Sequence, residues 1–196
     1  MTTCANLLAH DQSIGWGSLY FELTSALLAK YTSPHVLEIG VAYGSHAYKM
    51  LYSDSIGTYT GLDPYVFSYD NNDPFCADVA KVTGFNDQRC MDSLFHYTSL
   101  KLLEAQNAVL HRDNSSRLLL PKNIYDFIFI DGDHTVGAVL KDLCAAQALI
   151  KPGGIVAMDD TSWDGVRSAA VTFAKLVDKK ILTIRSSKYE LWYFQY

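Results

Sequence analysis

Val36-Leu37-Glu38-Ile39-Gly40-Val41-Ala42-Tyr43-Gly44-Ser45 is the stretch around which the chain is organised. A short apolar run carrying a carboxylate meets a glycine-rich turn, and a helical stretch from Ala47 to Tyr52 follows. A buried strand that stops at a tight turn leaves the next helix's first N–H groups pointing into a crevice. Glycines there let a ligand approach the main chain. Such turns are common punctuation on their own. The reading gains weight from Thr58 to Asp63 (TYTGLD), a second strand ending in an acid about twenty residues on. In a doubly wound fold that acid is placed to hydrogen-bond ribose hydroxyls.

Composition bounds the rest. The 196 residues are enough for one domain, 1–196, with a real core. A hydrophobic share of 49% with 19% charged residues is ordinary for an α/β protein. The formal net charge of −5 supplies no global basic field for nucleic acid. Cys4, Cys76, Cys90 and Cys144 show no Cys-x-x-Cys spacing, which suits scattered thiols in an intracellular protein. No basic flank leads an apolar segment at the start, and no run approaches the ~20 apolar residues that span a bilayer. The expectation is a cytoplasmic protein without membrane contact, and a homo-oligomer is compatible with it.

Residues 1–16 lack periodicity and read as an arm. From Ser18 the positions Leu19, Tyr20, Leu23 and Leu27 recur at helical spacing until Thr32-Ser33-Pro34 stops the helix. Strands are expected at His35–Ile39, Thr58–Leu62, Ala108–His111, Tyr125–Ile130 and Ile155–Met158, with further strands at 181–184 and 189–196. The last link, Ser186-Ser187-Lys188, suits an antiparallel hairpin. Phe127 to Ile130 is continuously apolar, as a central parallel strand must be. Helices are expected at 45–52, 75–82, 94–109 and 164–177, the third with Leu100, Leu103 and Ala108 inward. Another follows His134, with Val136, Val139, Leu140, Leu143 and Ile150 on one face. Residues 65–106 exceed what a plain alternating domain needs. Their aromatics Tyr65, Phe67 and Tyr69 suit a substrate-side region, and an idle surface excursion is the alternative. The alternation argues a three-layer, doubly wound α/β sandwich.

Ligands in such sheets bind outside the carboxyl ends of the strands. Here those ends carry Glu38, Asp63, Asp131 and the pair Asp159 and Asp160, with Asp113, Asn114 and Ser115 just past the third strand. So many acids on one edge repel each other unless a cationic ligand or a metal ion joins them.

The segments 36–44, 61–63, 126–134 (DFIFIDGDH) and 149–155 (LIKPGGI) resemble class I S-adenosylmethionine-dependent methyltransferases over nearly the whole chain. The IDGDH element with 139–143 is similar to the macrocin-type and catechol-type O-methyltransferases. This resemblance implies a Rossmann-like, seven-stranded sheet of order 3-2-1-4-5-7-6 with an antiparallel last strand. It implies that Gly40, Ala42 and Gly44, with Ser45, form the turn under the cofactor's methionine part. Ala42 stands where many members carry a second glycine. Glu38 would sit near that turn, Asp63 on the ribose, Asn114 and Ser115 at the adenine, and Asp131 beside the cationic methionine end. In metal-dependent members the ligands map onto Asp131, Asp159 and Asp160, which suits Mg²⁺ or Mn²⁺. The alternative is a metal-free site with Asp159 and Asp160 capping the next helix. Catechol-type relatives keep a catalytic lysine three residues after the first aspartate. His134 has that spacing, and an ordinary pKa near 6.5 suits it as general base; alternatively it orients Asp131. Trp163 reads equally as pocket lining or core. The expected activity is O-methylation of a small hydroxylated molecule, a sugar or phenolic compound. A noncatalytic S-adenosylmethionine-binding domain is the competing reading; loss of the glycines or acids would mark it, and both are present. The composition and missing motifs speak against a nucleic-acid methyltransferase.

Overall fold

A parallel strand covered on both faces must be apolar throughout. At the centre of the sheet Phe127, Ile128 and Phe129 are fully buried. The computed structural model describes residues 2–15, 20–53, 56–67, 73–117 and 119–196. Helices α1 (Thr2–Ile14) and α2 (Phe21–Leu28) precede β1 (His35–Ile39), α3 (Ser45–Ser53) and β2 (Thr58–Leu62). Helices α4 (Phe75–Thr83) and α5 (Gln88–Leu102) lead to β3 (Ala108–His111) and β4 (Tyr125–Ile130). The chain closes with α6 (Val136–Leu149), β5 (Ile150–Met158), α7 (Asp164–Val177), β6 (Leu182–Arg185) and β7 (Glu190–Gln195).

The seven strands run β3-β2-β1-β4-β5-β7-β6, with β7 antiparallel to both neighbours and the other pairs parallel. The expected sandwich and strand order are therefore what the chain adopts. One face of the sheet packs on α6 and α7 through Val139, Leu143, Val166 and Phe173. The other packs on α2 and α3 through Leu23, Leu27, Ala47 and Met50. No helix among the described residues is long and apolar enough to cross a membrane.

Several expectations shift. Residues 2–14 form a helix rather than an aperiodic arm, joined to α4 and α5 in a third small core around Leu7, Val79, Cys90 and Leu94. That helix shows no clean apolar stripe because its anchor is polar. Asp11, 6% exposed, accepts from Tyr97 (2.7 Å) and Lys101 (2.6 Å) and from the Ser45 hydroxyl. The surplus in 65–106 is α4. Helix α5 starts at Gln88, six residues before the expected Leu94, because Asp87 accepts from Arg89 N at 3.0 Å and caps it. Leu94, Tyr97 and Leu102 point inward, while Leu100 and Leu103 are exposed. Val136 is likewise exposed on α6. Strand β5 starts at Ile150, five residues before the expected Ile155, and its pairing with β4 is irregular between Tyr125↔Ile150 and Phe127↔Ile155. The expected helical positions Ser18 and Leu19, and Tyr69, lie outside the described residues.

Candidate active site

The carboxyl ends of β3, β2, β1, β4 and β5 stand in that order along one edge. They border a cavity of about 510 Å³, within the ~300–1,000 Å³ usual for small-molecule sites. Its wall begins at Asp113, Asn114 and Ser115 past β3, and passes Asp63 and the Gly40–Ala42 turn. It ends at Asp131, His134, Asp159, Asp160 and Trp163. Ser45 also lines it, but Glu38 and Gly44 do not.

The turn after β1 is clamped by protein groups. Asp63 Oδ2 accepts from Val41 N (3.0 Å) and Ala42 N (2.9 Å), and its Oδ1 from Tyr65 N (2.7 Å). The Ala42 carbonyl accepts from Tyr65 Oη (2.9 Å) and Thr98 Oγ1 (2.7 Å). These bonds hold Ala42 at φ 48°, a left-handed conformation costing a non-glycine residue about 1–2 kcal/mol. Tyr65, expected in a substrate-side region, is fully buried and serves as this clamp. The glycines are also required by the packing of the chain itself. A Cβ on Gly40 would lie 2.0 Å from the Asp131 carbonyl oxygen, and one on Gly44 2.8 Å from Thr98 Cγ2. At both positions the missing Cβ lets chain segments come close. Glu38 stands behind the turn, 1% exposed, with Tyr59 Oη donating at 2.5 Å and His46 Nδ1 at 3.0 Å. It braces the turn rather than facing the cavity.

Ser115 donates to Asp142 on α6, and Ser116 Oγ donates to Asn114 Oδ1 at 2.8 Å. Asp142 and Asp113 join Asn114 and Ser115 on this wall. The Asp142 carboxyl is pushed up to about 6, chiefly by burial.

At the other end the acids crowd. Burial pushes the Asp131 carboxyl well above the carboxylate range, and the charges of Asp159, Asp160 and Glu38 push it further. Asp159, 5% exposed, rises to about 7 through burial and then the Asp160 charge. Asp160 sits at φ 51°, a left-handed conformation that aspartate tolerates better than most residues. Neither Asp159 nor Asp160 caps α7, whose cap position is Trp163 without a side-chain bond.

His134 lies between two carboxylates. Nδ1 is 3.3 Å from Asp73 Oδ2 and Nε2 is 3.0 Å from Asp160 Oδ2, neither pair aligned as a hydrogen bond. The ring stacks on Trp163, centroids 4.6 Å apart. Trp163 thus lines the cavity and packs on the core together. Burial opposes the charged ring, but Asp160 and Asp73 outweigh it and carry its pKa to about 10. In that charge state, without ligands, the ring is a proton donor rather than an acceptor. Among the described residues, ligand atoms from Asp131, His134 and Asp160 lie within 4.8 Å of one another. Asp159 is not in that group; His134 stands in the place expected for it.

A family profile described as a methyltransferase domain matches residues 37–161, from inside β1 to just past β5. The chain belongs to that family. It is accordingly a class I S-adenosylmethionine-dependent methyltransferase, and an enzyme. A search of curated proteins finds no significant match. Among solved structures, a SAM-dependent methyltransferase from Aquifex aeolicus superposes with a TM-score of 0.63 at 13% identity, covering 98% of this chain and 97% of that one. A protein assigned as S-adenosyl-L-methionine-dependent methyltransferase from Methanococcus maripaludis gives 0.62 at 10%, covering 95% and 89%. Spermidine synthase from Thermotoga maritima gives 0.57 at 15%, covering 90% of this chain and 58% of that one. At such identities the likeness is one of fold.

The acids around the cavity carry a pH dependence. Asp142, Asp159, Asp131 and His134 all have folded-state pKa values above their ordinary ones. Each holds its proton more tightly when folded, so each contributes stability that is lost as pH rises through its folded pKa. For Asp142 and Asp159 that window runs from about 4 to 6–7, and for His134 from about 6.5 to 10. The ligand-free enzyme should therefore melt about 5–10 °C lower at pH 8.5 than at pH 5.5 in scanning calorimetry. An equal or higher midpoint at pH 8.5 would contradict this account of the acids.

Proposed function

We propose that this methyltransferase transfers the methyl group to a hydroxyl of a small molecule, assisted by a divalent cation. The observation that carries it is the convergence of Asp131, His134 and Asp160 beside the cavity at the strand ends. Two carboxylates and an imidazole suit a borderline first-row ion, which favours Mn²⁺ over Mg²⁺ within the expected pair. Asp73 faces the far ring nitrogen of His134, the carboxylate–imidazole arrangement that orients a histidine ligand. His134 then acts as a neutral ligand, and Asp159 remains behind as a buried carboxyl. Such an ion supplies the acidity that lowers an acceptor hydroxyl's pKa and fixes it.

The donor supplies an electrophilic methyl on a cationic sulfur. For it the chain offers Asp63 at the ribose, the Gly40–Ala42 backbone, Asn114 and Ser115 at the base, and Asp131 at the sulfonium. Asp63 and Ser115 keep only part of their capacity, since protein groups already occupy them. Nine aspartates and one lysine line the cavity among the described residues, which disfavours phosphate-rich acceptors such as nucleic acid. Trp163 and Tyr189 provide flat apolar faces for a sugar or phenolic ring.

A second reading has support in the Asp73–His134–Asp160 ion pairs: the imidazolium itself balances the acids and no metal is used. An acceptor panel with methyl-labelled cofactor separates the two. Label should appear in hydroxylated small molecules, disappear with excess chelator and return with Mn²⁺. Asp160→Ala should abolish transfer while cofactor binding by calorimetry changes about threefold or less. Full activity in chelator leaves the imidazolium reading, and transfer only to protein or nucleic acid refutes the proposal.

A further inference from the structure

Tyr20 comes from the chain's first third, yet its hydroxyl donates to Asp131 Oδ2 at 3.0 Å across 111 positions. The ring is 8% exposed and packs between Phe129 (centroids 5.3 Å), the edge of His46 (4.9 Å) and Tyr189 (6.1 Å). A phenylalanine would make all three ring contacts. The hydroxyl adds the bond to Asp131, and core packing does not require it.

The residue is held from behind by a buried polar chain. Its carbonyl accepts from Leu23 N (3.0 Å) and Thr24 N (3.1 Å), which opens α2. Thr24 Oγ1 meets His46 Nε2 at 2.8 Å, and His46 Nδ1 meets Glu38, which Tyr59 completes. Thr24, His46, Glu38 and Tyr59 are each 2% exposed or less. Buried polar groups with all partners in place hold a single geometry. This chain joins β1, β2 and α3 to the turn that presents Tyr20.

We propose that Tyr20 is a positioning residue of the methyl-transfer site, its hydroxyl fixing the Asp131 carboxylate so that the charge faces the cofactor's sulfonium. The inference rests on the reading that Asp131 lies beside that cationic end. A carboxylate with one oxygen tied to a rigid phenol cannot swing toward Asp159, Asp160 or solvent. Helix α2 then serves cofactor discrimination as well as packing.

The test compares S-adenosylmethionine with S-adenosylhomocysteine, whose sulfur is neutral, by calorimetry on wild type, Tyr20→Phe, Asp131→Asn and the double variant. A misplaced Asp131 weakens the cationic ligand selectively. Tyr20→Phe should lower the preference for S-adenosylmethionine about tenfold, the size of one hydrogen bond to a charged group. Homocysteine-form affinity should stay within about twofold, and Asp131→Asn should remove the preference. In the Asp131→Asn background Tyr20→Phe should add nothing, because both act through one carboxylate. If Tyr20→Phe weakens both ligands alike, or lowers the melting point with the preference intact, its role is structural and the inference falls. If Asp131→Asn keeps the preference, the placement of Asp131 fails first.

Discussion

Gly40→Ala should cost about 3–5 kcal/mol of folding stability, enough to leave much of the chain unfolded if its stability is ordinary. Two penalties combine. The residue sits at φ 87°, where a Cβ costs about 1–2 kcal/mol. That Cβ would also lie 2.0 Å from the Asp131 oxygen, 2.4 Å from its carbonyl carbon and 2.6 Å from Gly132 N. All three are backbone atoms of the β4 exit and cannot rotate away. Moving them would break Asp131 N to Ile39 O (2.8 Å) and Gly40 N to Leu62 O (2.9 Å), which tie β1 to both neighbours at the cavity. Gly137 is the control. It lies in α6 with nothing within 4 Å of an added Cβ, so Gly137→Ala should stabilise by up to about 1 kcal/mol. Urea midpoints measure both. A Gly40→Ala protein as stable as wild type would mean that β1 and β4 do not approach as described.

Asp131→Asn should separate stability from activity. The carboxyl is buried among Asp159, Asp160 and Glu38, and the ligand-free protein bears that repulsion. An amide removes the charge, nearly keeps the volume and can still accept from Tyr20. Unfolding stability at pH 8 should rise by about 1–2 kcal/mol, as for other uncompensated buried charges. Methyl transfer should fall about 10²–10³-fold if, as proposed, Asp131 meets both the sulfonium and the cation. Calorimetric melting and label transfer measure the two effects on one preparation. A destabilised variant, or an active one, would show that Asp131 is structural rather than a charge held in reserve for ligands.

The acids at the strand ends were readable because each follows a run whose period reveals the strand, and a parallel sheet delivers all such ends to one edge. Tyr20, Asp11, Asp73 and Asp142 were not. Tyr20 occupies an inward position of a helical pattern, where an aromatic reads as core; its hydroxyl matters only because Asp131 lies opposite. Asp11 sits in a helix without an apolar stripe, and its partners Tyr97 and Lys101 are 86 and 90 positions away. His134 was found by spacing but assigned a pKa for an isolated imidazole. The carboxylates on either side of it, from two separate loops, raise that pKa to about 10 in the ligand-free chain.

By itself the sequence determined the strands, their order through the family resemblance, the glycine-rich turn after β1 and the acidic edge. Those follow from local periodicity and from turn chemistry, which act within a few residues. Only the tertiary structure decided that the glycines serve chain-to-chain contact, that Glu38 faces inward, and that His134 rather than Asp159 joins Asp131 and Asp160. Side-chain direction and charge state depend on partners 26 to 111 positions away, and only folding brings them to 3.0 Å.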